Sequence, residues 1–428
     1  MHPELPRSPL QRHRIPFALA GAALAVMLAG CGGGGDSDTA PPVVDADKFT
    51  QSATWTVALP ATGGQVCYDF DAAAEADCAG STWDLKLTNS GLAGALWTHS
   101  GTSGSGQGGA FGGPFDHTWT ELSAWQNATT DPTSGAIPAT LFFADGASGV
   151  FAGSNAIQSA AFEYGLAGTS DHLLYPNYRV FLVTSDSSKA DTTTNGSTRV
   201  FALQVIGYYG SPTGTASGWP TVRWVDTADP AHVKTATLDA TADWVYLNLD
   251  SGTPVGAGDA WHVAFSRYNM RLNGGTSGSG SVAGFLAKTP AGLYDTDGKP
   301  VLAAFQAATP AGTLAELTAP DLAKPASAGQ WVKDGRSSVL NPAYQGSYPA
   351  PLDYGWYTYY PTATAAEAAG LPAVAHLLKA NPERATMLRG AGGTSYARIH
   401  VTDIGYATPG NARSQQTWTL QMDIQPAP

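Results

Sequence analysis

The chain has 428 residues, enough for two ordinary domains of roughly 100–200 residues each, and only 13% of them are charged, about half the usual share. Its 50 glycines, 29 prolines and 10% aromatic residues favour many short strands joined by turns, and they exclude a helical bundle, a coiled coil or a disordered acidic chain. With 22 basic against 34 acidic residues the net charge is −12, and no basic stripe marks a nucleic-acid binder.

The first element is an address. Arg7, Arg12 and Arg14 precede an apolar run at residues 15–28, which ends in Leu28-Ala29-Gly30-Cys31. A charged start, an apolar core and small residues at its end make a secretory signal, and the run is too short to span a bilayer. The Leu-Ala-Gly-Cys ending resembles a bacterial lipobox. Residues 1–30 are therefore expected to be removed and Cys31 to carry the lipid. Residue 32 is Gly and not Asp, so the expected place is the outer membrane, reached through the lipid alone. Residues 31–50, rich in Gly and then Pro, read as a flexible tether.

Cys67 and Cys78 bracket a polar, turn-like segment between strand-like runs. An even pair in an oxidising compartment reads as a disulfide across a hairpin, with two free thiols as the alternative. Neither the number nor the spacing suits a zinc site.

The chain then repeats itself. Tyr68 and Trp83 are followed by the same frame at Tyr246 and Trp261, which sets Val245 and Gly256 in the places of Cys67 and Cys78. After each Trp the apolar residues alternate, as Leu85 and Leu87, then Val263 and Phe265, which is a half-buried strand. The run GTSGSG follows at residues 101–106 and again at 275–280. Further on, Asp171-His172-Leu173-Leu174 corresponds to Ala375-His376-Leu377-Leu378, ALQV at 202–205 to RIHV at 398–401, and TVRWV at 221–225 to WTLQMDI at 418–424. These matches divide the chain after the tether into repeats at 51–228 and 229–428. The class is all-β with minor helix, as two tandem β-rich domains. The one helical candidate, residues 365–387, is interrupted by Gly370, Pro372 and Pro382.

The order of a Trp-led strand, a Gly-Thr-Ser-Gly turn, the aromatic strand Gly355-Trp356-Tyr357-Thr358-Tyr359, a His-Leu-Leu segment and a closing strand resembles the HmuY family of bacterial lipoproteins. The resemblance covers nearly all of the chain after the tether, twice. It implies a β-rich fold, haem binding at the cell surface and transfer of haem to a TonB-dependent outer-membrane receptor. The second copy departs from the family at His262, where the first has Asp84.

Haem needs one or two axial ligands, usually His, Met, Cys or Tyr, in an apolar pocket. His172 and His376 hold equivalent places after aromatic strands and are the first candidates. His117, between aromatic residues in FDHTW, is the candidate partner of His172, and the first repeat is the favoured site. Met270 and Met387 read as core, His99 as a turn residue and His400 as a polar-face residue. The Gly-rich runs lack the residues of a phosphate loop or a nucleophile elbow and read as flexible turns. Asp295-Thr296-Asp297-Gly298 reads as a simple turn and not a calcium loop. No feature asks for an enzyme. The alternative is a surface adhesion module that binds glycan or protein without haem.

Overall fold

The alternating runs fold as strands. The computed structural model describes residues 47–189, 198–211 and 213–428, so the signal, Cys31 and most of the tether lie outside the described residues. We number the ten strands that carry the architecture. They are β1 (Gln51–Ala58), β2 (Gly109–Phe111), β3 (Val180–Thr184), β4 (Val200–Gly210) and β5 (Ala216–Asp226). Then come β6 (Asp229–Thr237), β7 (Ala283–Lys288), β8 (Arg384–Arg389), β9 (Tyr396–Tyr406) and β10 (Gln416–Gln425). The runs ALQV, TVRWV, RIHV and WTLQMDI all fall in these strands. The chain is mostly strand with a few short helices.

Two antiparallel sheets share one strand order: β1–β10–β9–β8–β2 in the first and β6–β5–β4–β3–β7 in the second. Each takes strands from both sides of residue 228. In the first sheet all eight residues of β1 pair with β10, from Gln51 opposite Ile424 to Ala58 opposite Thr417. In the second, β5 and β6 form a hairpin in which Asp226 pairs with Asp229. The boundary expected at 228/229 thus lies in the tight turn of a hairpin, which holds its two strands side by side.

The chain crosses from the first sheet to the second at Gly146–Ser148 and returns at Gly335–Ser337. These segments pair antiparallel, with Ala147 opposite Arg336. The crossing is close to twofold symmetric: Ser148 Oγ donates to the Arg336 carbonyl and Ser337 Oγ to the Ala147 carbonyl, each at 3.2 Å.

A four-stranded antiparallel sheet of spatial order second-first-third-fourth accompanies each main sheet, one spanning residues 65–98 and the other 245–272. Their hydrogen bonds correct the sequence frame. Asp84 N donates to Tyr68 O and His262 N donates to Leu247 O, so Tyr68 corresponds to Leu247 and Cys67 to Tyr246. A fixed count back from the tryptophans misses this, because the connections inside the two small sheets differ by one residue. The Cys67–Cys78 disulfide is formed.

The glycine-rich turns are pinned, not flexible. Thr102 N donates to Asp145 O and Thr276 N to Asp334 O, both at 3.0 Å. Gly101 (φ 51°) and Gly275 (φ 67°) lead these turns, and a Cβ on either would sit 1.9 Å from that aspartate carbonyl oxygen. Positive φ and this close approach both require glycine.

The helical candidate at 365–387 is mostly strand. Only Ala363–Ala368 is helical, capped by Thr362, whose Oγ1 accepts from Ala365 N. Gly370 (φ 75°) ends it, and Leu377–Ala380 and β8 follow, where burial of Leu377, Leu378, Met387 and Leu388 decides for sheet.

The cores also mix the two sequence repeats. Trp55, Leu85 and Leu87 pack with Ile399, Trp418 and Leu420 under the first sheet. Phe181, Leu203 and Trp224 pack with Leu247, Val263 and Phe265 under the second. Each such side chain contributes roughly 1.5–3 kcal/mol when fully buried. Neither repeat buries its apolar face without the other.

Candidate functional site: two tyrosine-histidine pairs

One hairpin beside each sheet carries a candidate histidine. Phe162–Tyr164 pairs with Leu174–Pro176, setting Tyr164 opposite Leu174. Tyr357–Tyr360 pairs with Leu377–Ala380, setting Tyr359 opposite Leu378. Each leucine N–H donates to a tyrosine hydroxyl of the neighbouring sheet, Leu174 to Tyr209 Oη at 2.9 Å and Leu378 to Tyr406 Oη at 2.8 Å. These bonds fix the hairpin ends. His172 and His376 stand two residues before these leucines, so the equivalence read from sequence is a spatial one.

Each histidine is held by a tyrosine. His172 Nδ1 lies 2.8 Å from Tyr164 Oη, and His376 Nδ1 lies 2.6 Å from Tyr359 Oη. Both imidazoles are exposed. His376 has φ 69°, an unfavourable region for a side chain that costs on the order of 1–3 kcal/mol. Its N–H donates to Tyr360 O at 2.7 Å, which together with the Tyr359 contact fixes the ring. Burial, and then the nearby Tyr348, raise the Tyr359 pKa, so the phenol stays protonated.

Each pair opens on a cavity. The His172 cavity, about 400 Å³, is walled by Tyr164, Leu173, Tyr208, Tyr209 and Tyr268, with Arg267 at its side. The His376 cavity, about 430 Å³, is walled by Leu92, Tyr359, Val374 and residues 410–413, ending in Arg413. Both cavities draw residues from both repeats: Arg267 and Tyr268 join residues 157–217 in one, and Leu92 joins residues 359–413 in the other.

His117 joins neither cavity. Strand pairing sets it opposite Ala385 of β8, stacked on Phe111 at 5.1 Å and 3.3 Å from Glu121 Oε1. It therefore belongs to the first sheet and His172 to the second, and the structure does not bring this pair together. His99 stands in the bend that leads the glycine-rich turn, and it is buried, stacked on Trp83 at 4.1 Å, with Nδ1 2.8 Å from the Trp83 carbonyl. His400 is likewise buried, stacked on Trp119 at 3.7 Å. Met387 is core, while Met270 lines a third cavity. Asp295 closes a turn as expected, accepting from Asp297 N and Lys299 N. Among the described residues no cluster of three or more His, Cys, Asp or Glu could hold a bare metal ion.

The tyrosine partners and the two arginines were not singled out from sequence. The aromatic strands carrying Tyr164 and Tyr359 gave a signal, but the arginines come from turns that only folding brings near.

The family model of the HmuY protein matches residues 240–418. This stretch, somewhat under half of the chain, is similar to the HmuY family. No curated protein matches the chain. The HmuY-matching stretch is divided between the sheets: it supplies β7 to the second and β8 and β9 to the first. Tyr359 and His376 lie within it, and Tyr164 and His172 outside it, on the equivalent hairpin.

Proposed function

We propose that this HmuY-like protein, anchored in the outer membrane through a lipid on Cys31, binds haem and hands it to a TonB-dependent receptor. It is a binding protein and not an enzyme. The observation that carries the reading is the repeated tyrosine-histidine pair opening on a cavity beside an arginine. With Nδ1–H donated to the tyrosine oxygen, the Nε2 lone pair of His172 or His376 is free for iron. The tyrosine walls of the His172 cavity suit a porphyrin face, and Arg267 and Arg413 suit its carboxylates. An exposed ligand on a hairpin end suits a cargo that must leave again. The matching of the two sites, and of the symmetric crossing, supports origin by duplication.

The test is a haemin titration of the chain starting at residue 32, followed at the Soret band. We expect a saturable red-shifted band that His172→Ala and His376→Ala each weaken and the double variant abolishes. Loss in only one single variant assigns binding to that site alone. A flat difference spectrum in both iron redox states overturns the reading.

A second reading, adhesion without haem, draws on Tyr344 and Tyr348, which are 50% and 72% exposed. Such tyrosines suit glycan or protein partners. A flat haemin titration would favour it.

A further inference from the structure

The third cavity belongs to neither histidine. It measures about 640 Å³, within the range of small-molecule sites, and it opens beside the crossing of Gly146–Ser148 and Gly335–Ser337. Thr102 and Ser148 reach it from one repeat and Trp244, Arg271, Thr276 and Arg336 from the other. Ile157 and Tyr268 stand between it and the His172 cavity, lining both.

In a chain of net charge −12 this cavity is basic. The Arg271 guanidinium lies 3.9 Å over the Trp244 ring and donates to Tyr246 Oη at 2.6 Å. Its Nε is buried and has no hydrogen-bond partner. Arg336 is exposed on the crossing strand and its guanidinium has no ion pair among the described residues. Burial, with the Arg336 charge behind it, lowers the pKa of nearby Lys86, so Arg336 faces like charge there. One carboxyl lines the cavity, Asp334, and it is already engaged, Oδ2 accepting from Leu272 N at 2.8 Å. Burial raises its pKa, while hydrogen bonds from Ser277 and Leu272 N and the Arg271 charge pull it down. Around the cations the wall is rich in hydroxyls, with Thr102, Ser148, Thr276 and Ser277, and it carries the aromatic ring of Tyr268.

We propose that this cavity binds an acidic carbohydrate, a sugar bearing a carboxylate. Arg336 and Arg271 meet the carboxylate, for which a guanidinium fork is the matched partner. The hydroxyl-bearing wall meets the sugar hydroxyls, and Tyr268 offers a face for a pyranose ring. Because both repeats build the wall at their crossing, the site needs the whole chain. It does not rest on haem binding.

The test is calorimetry on the chain starting at residue 32 with three probes: trigalacturonate, the neutral maltotriose and the non-sugar polyanion citrate. We expect trigalacturonate to bind at least about tenfold tighter than either control. Arg336→Gln should weaken it by about tenfold at an unchanged melting temperature, since Arg336 is exposed and makes no ion pair. Arg271→Met should weaken it too, and haemin binding should not change in Arg336→Gln. Equal binding of maltotriose removes the role of charge, and equal binding of citrate removes the sugar. No saturable heat at millimolar trigalacturonate, or full binding in Arg336→Gln, overturns the proposal.

Discussion

Asp84 and Ala391 are joined across 307 residues of chain: Asp84 Oδ1 accepts the Ala391 N–H at 2.6 Å. Its other oxygen accepts the Phe70 N–H, also at 2.6 Å. One buried carboxyl thus ties the small sheet at residues 65–98 to the end of β8. The equivalent residue, His262, does similar work with imidazole nitrogens: Nδ1 accepts from Leu249 N at 3.2 Å and Nε2 lies 3.0 Å from Ser185 Oγ. Burial lowers the His262 pKa and keeps the ring neutral. The difference between the two copies at this position is therefore an exchange of one buried acceptor for another.

Asp84→Ala leaves two buried N–H groups unpaired at about 1–3 kcal/mol each and should lower the urea midpoint accordingly. Burial pushes the Asp84 carboxyl up to about 7 from 3.8, against the two N–H bonds that pull it down. Between those values the native chain holds a proton that the unfolded chain has released. The contribution of Asp84 to stability therefore falls as pH rises from about 4 to about 7 and is level above that. Urea midpoints across that window should show this slope in the parent chain and lose it in Asp84→Asn.

The disulfide closes a short loop, with the two cysteines 11 residues apart. Cys67→Ser with Cys78→Ser should cost about 3 kcal/mol by the chain-entropy estimate. A melt of the reduced parent chain should match the double variant.

Gly275→Ala forces a Cβ to within 1.9 Å of the Asp334 carbonyl oxygen at φ 67°. We expect a loss of about 2 kcal/mol or more, and a similar loss for Gly101→Ala. Thermal melting checks both, with Gly292→Ala as a control for positive φ alone, since its added Cβ meets nothing within 4 Å.

Residues 47–228 and 229–428, produced separately, should each fail to fold as a monomer, because every main sheet needs both. Mixed, they should co-purify as a one-to-one complex by size exclusion. Two independently folded monomers would contradict the shared sheets.

Tyr164→Phe and Tyr359→Phe remove the partner of each histidine Nδ1 while keeping the ring. If haemin binds as proposed, each should weaken its own site by about tenfold, as loss of an outer partner does at metal sites. Soret titrations of the two variants read this separately.

Much of the strand content was legible, because a sheet with one buried face writes alternation into the chain, as in Trp418, Leu420, Met422 and Ile424 of β10. The disulfide was legible from an even cysteine pair. Partner choice was not: nothing local in β1 says that its neighbour is β10, since pairing across the length of the chain is set by the cores. The one-residue shift at Tyr246 was hidden by a turn of different length. The matching histidines were legible from His-Leu-Leu. Their tyrosines, eight and 17 residues earlier, and the arginines beside the cavities depend on hairpin geometry that the pattern does not carry.

The crossing strands have a topological consequence. Ser148 stands directly opposite Gly335, the last residue before the detour facing the first after it. The 186 residues between them are, in effect, a loop insertion hung from a ladder of three residue pairs. A turn of two to four residues could splice Ser148 to Gly335 and excise the second sheet with its histidine, leaving a miniature that keeps His376 and every strand of the first sheet.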